Sequence, residues 1–240
     1  VSEFHDTAVE RGGLYYYTIK ASNGVGTSPP SAELAANAAL PGPWLSRDIG
    51  DVQVSGFTEY NGKRFTLEGE GADINGTFDS FHFVYTKYSG EGTITARIVR
   101  PMSSQWTKPG VMMRETLEAG SCHASVLLLP HWSGALVTRT ETGGETSTHG
   151  TRYLGENHII KKNRLSTPYW VRLIRFRNRF TGYMSADGFH WQQLGSVEIP
   201  MNSTFYIGLP ACSQLDKVTT TVTYDNVSIP LWRMTDGDRQ

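Results

Sequence analysis

Arg114, His123, Ser125 and Arg139 fall on three short β-prone runs that follow one another, and Trp106 and Trp132 sit in the turns that bracket them. Two guanidiniums beside a hydroxyl can fork onto sugar hydroxyls, or onto a uronate, sulfate or sialate group. An indole on a loop offers an apolar face to the C–H side of a sugar ring and an N–H to a hydroxyl. These six residues are the candidate ligand-binding set, with Arg114, Ser125 and Arg139 expected to align across three strands. Each has a structural alternative. The arginines can pair with Glu115 or Glu141 on a solvated face, where ion pairs contribute little. The tryptophans can fold down as lids, and a single strand histidine such as His123 or His82 is commonly a satisfied structural group.

The remaining reactive side chains lack the spacing that chemistry needs. His131, His149, His158 and His190 are scattered through turns, and no His-Glu-x-x-His or Cys-x-x-Cys occurs. A nucleophile elbow and a phosphate loop are also missing. Glu68–Glu70 and Glu115–Glu118 are the nearest acid pairs, the first beside a glycine turn and the second split between faces at a strand end. Cys122 and Cys212 both fall at strand ends, where a bridge and two free buried thiols are equally open readings. Ser185-Ala-Asp187-Gly188-Phe-His-Trp191 predicts a tight hairpin whose carboxylate accepts backbone N–H bonds while Trp191 covers it. That chemistry is local and structural, and Asp187 is not a catalytic carboxylate.

The elements that must position these groups are strands. Lys108–Glu115, His123–Leu129 and Ala135–Thr140 alternate with turns at 117–121 and 130–134, which predicts an antiparallel meander. Ile94, Ala96 and Ile98 alternate with Thr93, Thr95 and Arg97, a clean period of two. Phe81, Phe83 and Tyr85 share a face, as do Val218, Thr220, Val222 and Tyr224. Residues 142–162 are polar and glycine-containing, a long loop with a weak hairpin, and Trp44 and Trp170 lie in or beside strands, in packing positions. With no helical periodicity, about a dozen short strands make a sandwich or jelly roll. The 25 glycines and 11 prolines suit that class. Lys plus Arg number 22 against 23 Asp plus Glu, which argues against a nucleic-acid partner and a polybasic membrane patch. No apolar run reaches the ~18–20 residues that span a bilayer. The chain starts mid-pattern, with no signal peptide, like a fragment of something longer.

Ordered motifs identify a family style. Trp44-Leu-Ser-Arg-Asp-Ile-Gly50, Gly71-Ala-Asp-Ile-Asn-Gly76, Phe81-His-Phe-Val-Tyr85, Gly90-Glu-Gly-Thr-Ile-Thr-Ala-Arg97, Lys108-Pro-Gly-Val-Met-Met-Arg-Glu115, Tyr169-Trp-Val-Arg-Leu173, Ser185–Trp191 and Asp225-Asn-Val-Ser-Ile229 follow in sequence. Together they resemble the concanavalin A-like/laminin G-like jelly-roll modules repeated in large secreted bacterial proteins, a superfamily that includes a domain linked to regulation of enolase. Gly13–Ser31, with its Tyr-rich strand, Ala21-Ser-Asn-Gly24 and Ser28-Pro-Pro-Ser31, resembles the last strands of a fibronectin type III module. Glycosidases of the jelly-roll superfamily carry Glu-x-Asp-x-x-Glu on one strand, which is missing here and lowers the expectation of catalysis. Related sandwiches often hold a structural calcium ion. That implies Asp73, Asp79 and Asp225, near strand ends, as candidate ligands.

The resulting expectation is an all-β chain. Residues 1–36 form a partial fibronectin type III module, 37–43 a linker, 44–230 a concanavalin A-like β-sandwich and 231–240 a tail. Its expected role is a non-catalytic carbohydrate-binding or accessory module of a larger secreted or cell-surface protein. Its partners would be a polysaccharide or glycan and the neighbouring domains of the same chain, with neither nucleic acid nor membrane. A glycosidase or polysaccharide lyase with an unfamiliar acid/base pair is the enzymatic alternative. A spacer or adhesion module is the structural one, marked by a sheet face filled by its own side chains.

Overall fold

The computed structural model describes residue 6 and residues 8–9, 13–99, 106–129, 133–153 and 168–230. Strands alone make up its regular structure there. The first two are β1 (Leu14–Tyr17) and β2 (Leu34–Asn37), then β3 (Leu45–Ile49), β4 (Phe57–Tyr60) and β5 (Arg64–Gly71). They are followed by β6 (Phe81–Ser89), β7 (Gly92–Ile98), β8 (Gly110–Arg114), β9 (His123–Leu129), β10 (Ser133–Arg139) and β11 (Ser147–Tyr153). Last come β12 (Tyr169–Phe176), β13 (Arg179–Ser185), β14 (Gln192–Glu198), β15 (Thr204–Ala211) and β16 (Leu215–Ser228).

The described strands assemble into two seven-stranded antiparallel sheets and one separate pair. The first sheet runs β11-β10-β9-β8-β15-β6-β3, and the second runs β14-β13-β12-β7-β16-β5-β4. β4–β5, β8–β9–β10–β11 and β12–β13–β14 pair as consecutive strands, whereas β3 pairs with β6 and β7 with β12, and β15 and β16 insert between earlier strands, β15 between β8 and β6 and β16 between β7 and β5.

Two-residue alternation builds the core between the sheets. Ile94, Ala96 and Ile98 from the second sheet meet Val111, Met113, Ala124, Val126 and Leu136 from the first, all fully buried. Full burial of each such aliphatic side chain is worth ~1.5–3 kcal/mol relative to exposure. A guanidinium also enters this core. Arg175 projects inward on β12, and its guanidinium donates to the carbonyls of Arg177, Asn202 and Met201 at 2.9, 2.8 and 2.6 Å. It also lies against the rings of Phe180 and Phe205, at 5.3 and 4.6 Å from their centroids.

The first sheet is covered on its other face as well. Phe81, Phe83, Tyr85, Met112, Leu127, Ala135 and Val137 point away from the inter-sheet core and are still buried. Ile74 from the β5–β6 loop, with Leu117 and Ala119 from the β8–β9 loop, packs onto them.

The N-terminal strands form a sheet of their own. β1 and β2 pair only with each other among the described residues, with Tyr15 opposite Ala36 and Tyr17 opposite Leu34. Leu34–Asn37 therefore extends as a strand across the expected boundary between remnant and linker. Tyr15 and Tyr17 keep the alternation expected of them, whereas Ile19, expected on the same face, is 75% exposed. The polar stretch after Thr142, expected as a long loop with a weak hairpin, supplies β11 as an edge strand paired with β10.

Candidate functional site

The central meander forms as expected, β8, β9 and β10 pairing antiparallel with a turn at 115–122 between the first two. Its register differs from the expected one by one pair. Arg114 lies opposite His123, and His123 opposite Arg139, so these three share a row. Ser125 sits in the next row, between Met112 and Val137.

This row does not face solvent. Arg114, His123, Ser125 and Arg139 are all fully buried. Asp79, at the end of the β5–β6 loop, comes down over them and forks onto Arg139, with Nη2 to Oδ1 at 2.7 Å and Nη1 to Oδ2 at 2.9 Å. Arg114 Nη1 lies 3.4 Å from Asp79 Oδ2, and His123 Nε2 lies 3.9 Å from Oδ1.

The other guanidinium N–H groups are spent on backbone carbonyls and, in one case, on a methionine sulfur. Arg139 Nε donates to Gly144 O at 3.0 Å and Nη2 to Gly76 O at 3.0 Å, while Nη1 donates to Ser121 O at 3.0 Å and Ala119 O at 3.3 Å. Arg114 donates from Nε to Thr116 O at 2.8 Å, from Nη2 to Glu118 O, and from Nη1 to the Met112 sulfur at 3.7 Å. The forks expected to meet a sugar instead tie the loops at 72–79, 116–121 and 141–146 to the sheet. Burial holds the Arg114 guanidinium down at about 10 against the pull of Asp79, so it stays charged at neutral pH. Burial also drives His123 down to about 4, leaving a neutral imidazole. Its Nδ1 bonds the Ser125 hydroxyl at 3.0 Å, and its Nε2 has no hydrogen-bond partner among the described residues.

Trp106 lies just before β8 and is 39% exposed; Trp132 falls outside the described residues.

The expected calcium ligands do not converge. Asp79 is held by the two arginines, Asp73 receives Lys108 Nζ at 2.6 Å, and Asp225 is forked by Arg97 at 2.7 Å from both Nε and Nη2. Each carboxylate has its own cationic partner, and the described residues contain no group of three or more His, Cys, Asp or Glu placed to hold a metal ion. Around Asp79, Arg139 gathers a carboxylate and the carbonyls of Gly76, Ala119, Ser121 and Gly144.

Two further groups resemble chemistry without providing access to it. Asp48 Oδ1 meets His82 Nδ1 at 2.7 Å, and His82 Nε2 meets the Thr58 hydroxyl at 2.8 Å, the order of an acid–imidazole–hydroxyl relay. Thr58 is 1% exposed and His82 2%, so the hydroxyl cannot reach a substrate. The chain ties β3 and β6 of the first sheet to β4 of the second. Gly56 makes room for it, since a Cβ there would lie 2.1 Å from His82 Nδ1. The cysteines are both free and buried. Cys122 Sγ faces Glu115 Oε2 at 3.6 Å and Cys212 Sγ faces Gly71 O at 3.3 Å.

Solvent-facing aromatic and cationic groups gather elsewhere, on the outer face of the second sheet. One row across that sheet reads Ser185–Trp170–Arg97–Asp225–Arg64, and the next reads Gln193–Tyr183–Arg172–Thr95–Ser228. At ~4.8 Å per strand each row spans ~19 Å. Trp170, Arg97, Arg172, Tyr183 and Trp191 are partly exposed, and Gln193 and Arg64 are exposed. Trp170, expected as packing, stands on this face with the Arg97 guanidinium 5.6 Å from its ring.

The β13–β14 turn folds onto the same face as its sequence predicts. Asp187 Oδ1 accepts the N–H groups of Phe189 and His190 at 2.8 Å, and Trp191 Nε1 donates to Gly188 O at 3.0 Å. Gly188, at φ 82°, presses on the Trp170 indole, where a Cβ would come within 2.8 Å. The Arg172 guanidinium carbon lies over the Trp191 ring, 3.8 Å from its centroid, and Nε donates to the Thr95 hydroxyl at 3.0 Å. Phe189 stands 86% exposed at the rim. Beyond Arg64 the row opens into a cavity of about 710 Å³ lined by Tyr60, Asn61, Lys63, Arg64, Asp225 and Asn226, among others. Alternation alone did not single out this surface, because β12 carries its inward Arg175 among apolar neighbours and its outward Trp170 and Ile174 among polar ones.

No protein-family profile matches the chain, and no curated protein matches it by sequence. Among solved structures it is similar to a functionally unknown protein from Saccharomyces cerevisiae, with 18% identity over 79% of this chain and 96% of that one and a TM-score of 0.57. The carbohydrate-binding module CBM66 from Bacillus subtilis overlaps 78% of this chain and 94% of its own length, at 13% identity and a TM-score of 0.44. LamAcat from Zobellia galactanivorans overlaps 79% of this chain and 90% of its own, at 12% identity and a TM-score of 0.47. At those two scores the likeness does not extend to a site. With its two antiparallel sheets and the yeast structure's agreement over nearly its whole length, the chain is an all-β jelly-roll sandwich.

Proposed function

We propose that the chain is a carbohydrate-binding accessory module that holds a glycan on the outer face of its second sheet. One observation carries this reading: two indole–guanidinium pairs, Trp170 with Arg97 and Trp191 with Arg172, stand in neighbouring positions on one solvent-facing surface. Around them are the hydroxyls and amide of Thr95, Tyr183 and Gln193. Aromatic faces for sugar C–H groups, beside planar and hydroxylic hydrogen-bonding groups, are what pyranose recognition uses. A shallow, partly solvated surface of this kind supports millimolar to micromolar affinity, ~4–8 kcal/mol.

The context belongs to the same proposal. The module serves a larger secreted or cell-surface protein, the N-terminal strand pair is the end of a fibronectin type III module, and other domains of that parent carry any catalysis. A second reading, a spacer or adhesion module, is supported by the first sheet, whose outer face is occupied by Ile74, Leu117 and Ala119 instead of forming a groove.

A glycan array tests the proposal, run with the wild-type chain, Trp170→Ala, and the milder Tyr183→Ala and Gln193→Ala variants, each checked for an unchanged melting curve. Specific binding weakened by these substitutions is the expected result. A blank array, or binding untouched by all three, would return the chain to the spacer reading.

A further inference from the structure

Resting on that reading, we infer that the glycan is acidic, and that Arg172 is the residue that receives its carboxylate or sulfate group. The argument starts from charge. The two rows that carry the aromatic pairs hold three guanidiniums, Arg64, Arg97 and Arg172, and a single carboxylate, Asp225. That one carboxylate is already taken. Arg97 forks onto it at 2.7 Å and Arg64 approaches it at 3.6 Å, while Asn226 Nδ2 donates to it at 2.9 Å. Arg97 holds Asp225 below the usual carboxylate range, so it remains an anion at any pH where the surface is in use.

Arg172 is left over. Among the described residues no carboxylate lies within ion-pairing distance of it. Its Nε is occupied by Thr95 and its plane is backed by Trp191. That leaves its two Nη groups, which have no hydrogen-bond partner among the described residues, to make the paired donation that a planar oxyanion accepts. The position is also partly desolvated, which lowers the Arg172 pKa from its ordinary value. A cation stripped of part of its water without receiving an anion in exchange gains more from an incoming carboxylate than a fully hydrated surface arginine does. The indole backing fixes the plane of the guanidinium, so little side-chain freedom is lost on binding. The same surface continues past Arg64 into the cavity that Lys63 also lines, where a second anionic group of a polymer can be placed.

Affinity gel electrophoresis of the intact chain tests this, with polygalacturonate in one gel and neutral hydroxyethylcellulose in another, at low and high sodium chloride. Retention by polygalacturonate that falls with salt is expected. Loss of one charge-assisted pair predicts retention about ten- to a hundredfold weaker for Arg172→Gln. Arg47→Gln removes the same charge from an exposed position on β3 and is expected to change nothing. If both gels retain the chain equally and Arg172→Gln is silent, the acidic ligand is wrong while glycan binding stands. If neither gel retains it, both readings fall. If an oligonucleotide is held as firmly as polygalacturonate, with the same dependence on Arg172, the surface recognises polyanions in general and the acidic-glycan assignment is overturned.

Discussion

Replacing Arg139 with methionine keeps the length of the side chain and removes its charge and all its donors. The substitution strands Asp79, whose side chain is fully buried, and leaves the carbonyls of Gly76, Gly144, Ser121 and Ala119 without their guanidinium. Breaking a buried ion pair on one side costs about 3–5 kcal/mol. Arg114, 3.4 Å from Asp79 Oδ2, retains part of the compensation and places the expected loss near the lower end, about 3–4 kcal/mol. For a domain of this size each kcal/mol moves the melting temperature by about 2–4 °C, so a drop of roughly 6–16 °C is expected. Urea denaturation followed by tryptophan fluorescence reads the same loss as a shift in midpoint at constant slope. A cycle with Asp79→Asn isolates the pair, whose coupling is expected to exceed ~2 kcal/mol. Because a guanidinium does the loop-gathering here, a calcium chelator is expected to leave the wild-type midpoint unmoved. An Arg139→Met loss under ~1 kcal/mol, or a chelator effect as large as the mutation, would refute this account of the cluster.

Two other predictions concern buried titratable groups. His123 is held at about 4, below the ordinary value near 6.5, so the unfolded chain binds a proton that the native chain refuses between those two pH values. The imidazole thus costs nothing above about pH 6.5, and stability falls as pH drops from there toward about 4, by about 3 kcal/mol in total. His123→Gln is expected to flatten that part of a pH–stability curve, and a wild-type curve without slope in the window would contradict it. Burial raises the thiols of Cys122 to about 11 and Cys212 to about 12. Both are expected to resist iodoacetamide in the native chain and to react once urea unfolds it; rapid labelling of the folded protein would contradict their burial.

The sandwich was legible because its strands alternate cleanly where one face is wet. Thr93–Ile98 and Val222–Tyr224 fall on the faces their spacing predicts. Val218, expected to share a face with Thr220 and Val222, is instead 50% exposed, because β16 shifts register between Leu215 and Thr220. The meander was legible too, but its register depends on how many residues the 115–122 turn consumes, and that placed His123 rather than Ser125 beside the arginines. Their partner Asp79 lies 60 residues from Arg139 in the chain, beyond the reach of any local pattern. A charged residue also defeats alternation when its charge is satisfied by carbonyls. Arg114, Arg139 and Arg175 occupy interior positions that a polar–apolar count assigns to solvent. The face bearing Trp170 and Arg172 was hidden for the converse reason, since an outward indole in a strand reads as packing until its neighbours across the sheet are known.

The placement of β15 and β16 has a consequence for how the molecule comes into being. Each fills a gap between strands made long before it, so neither sheet can be completed until the ribosome has released residues 204–228. Until then β6, β8, β5 and β7 present bare edges to the crowded surroundings of a nascent chain, the condition under which strands pair with strangers. A chain ending before Thr204 therefore lacks an interior strand in both layers, and one ending between Ala211 and Leu215 lacks it in the second layer, so this segment is not a dispensable end.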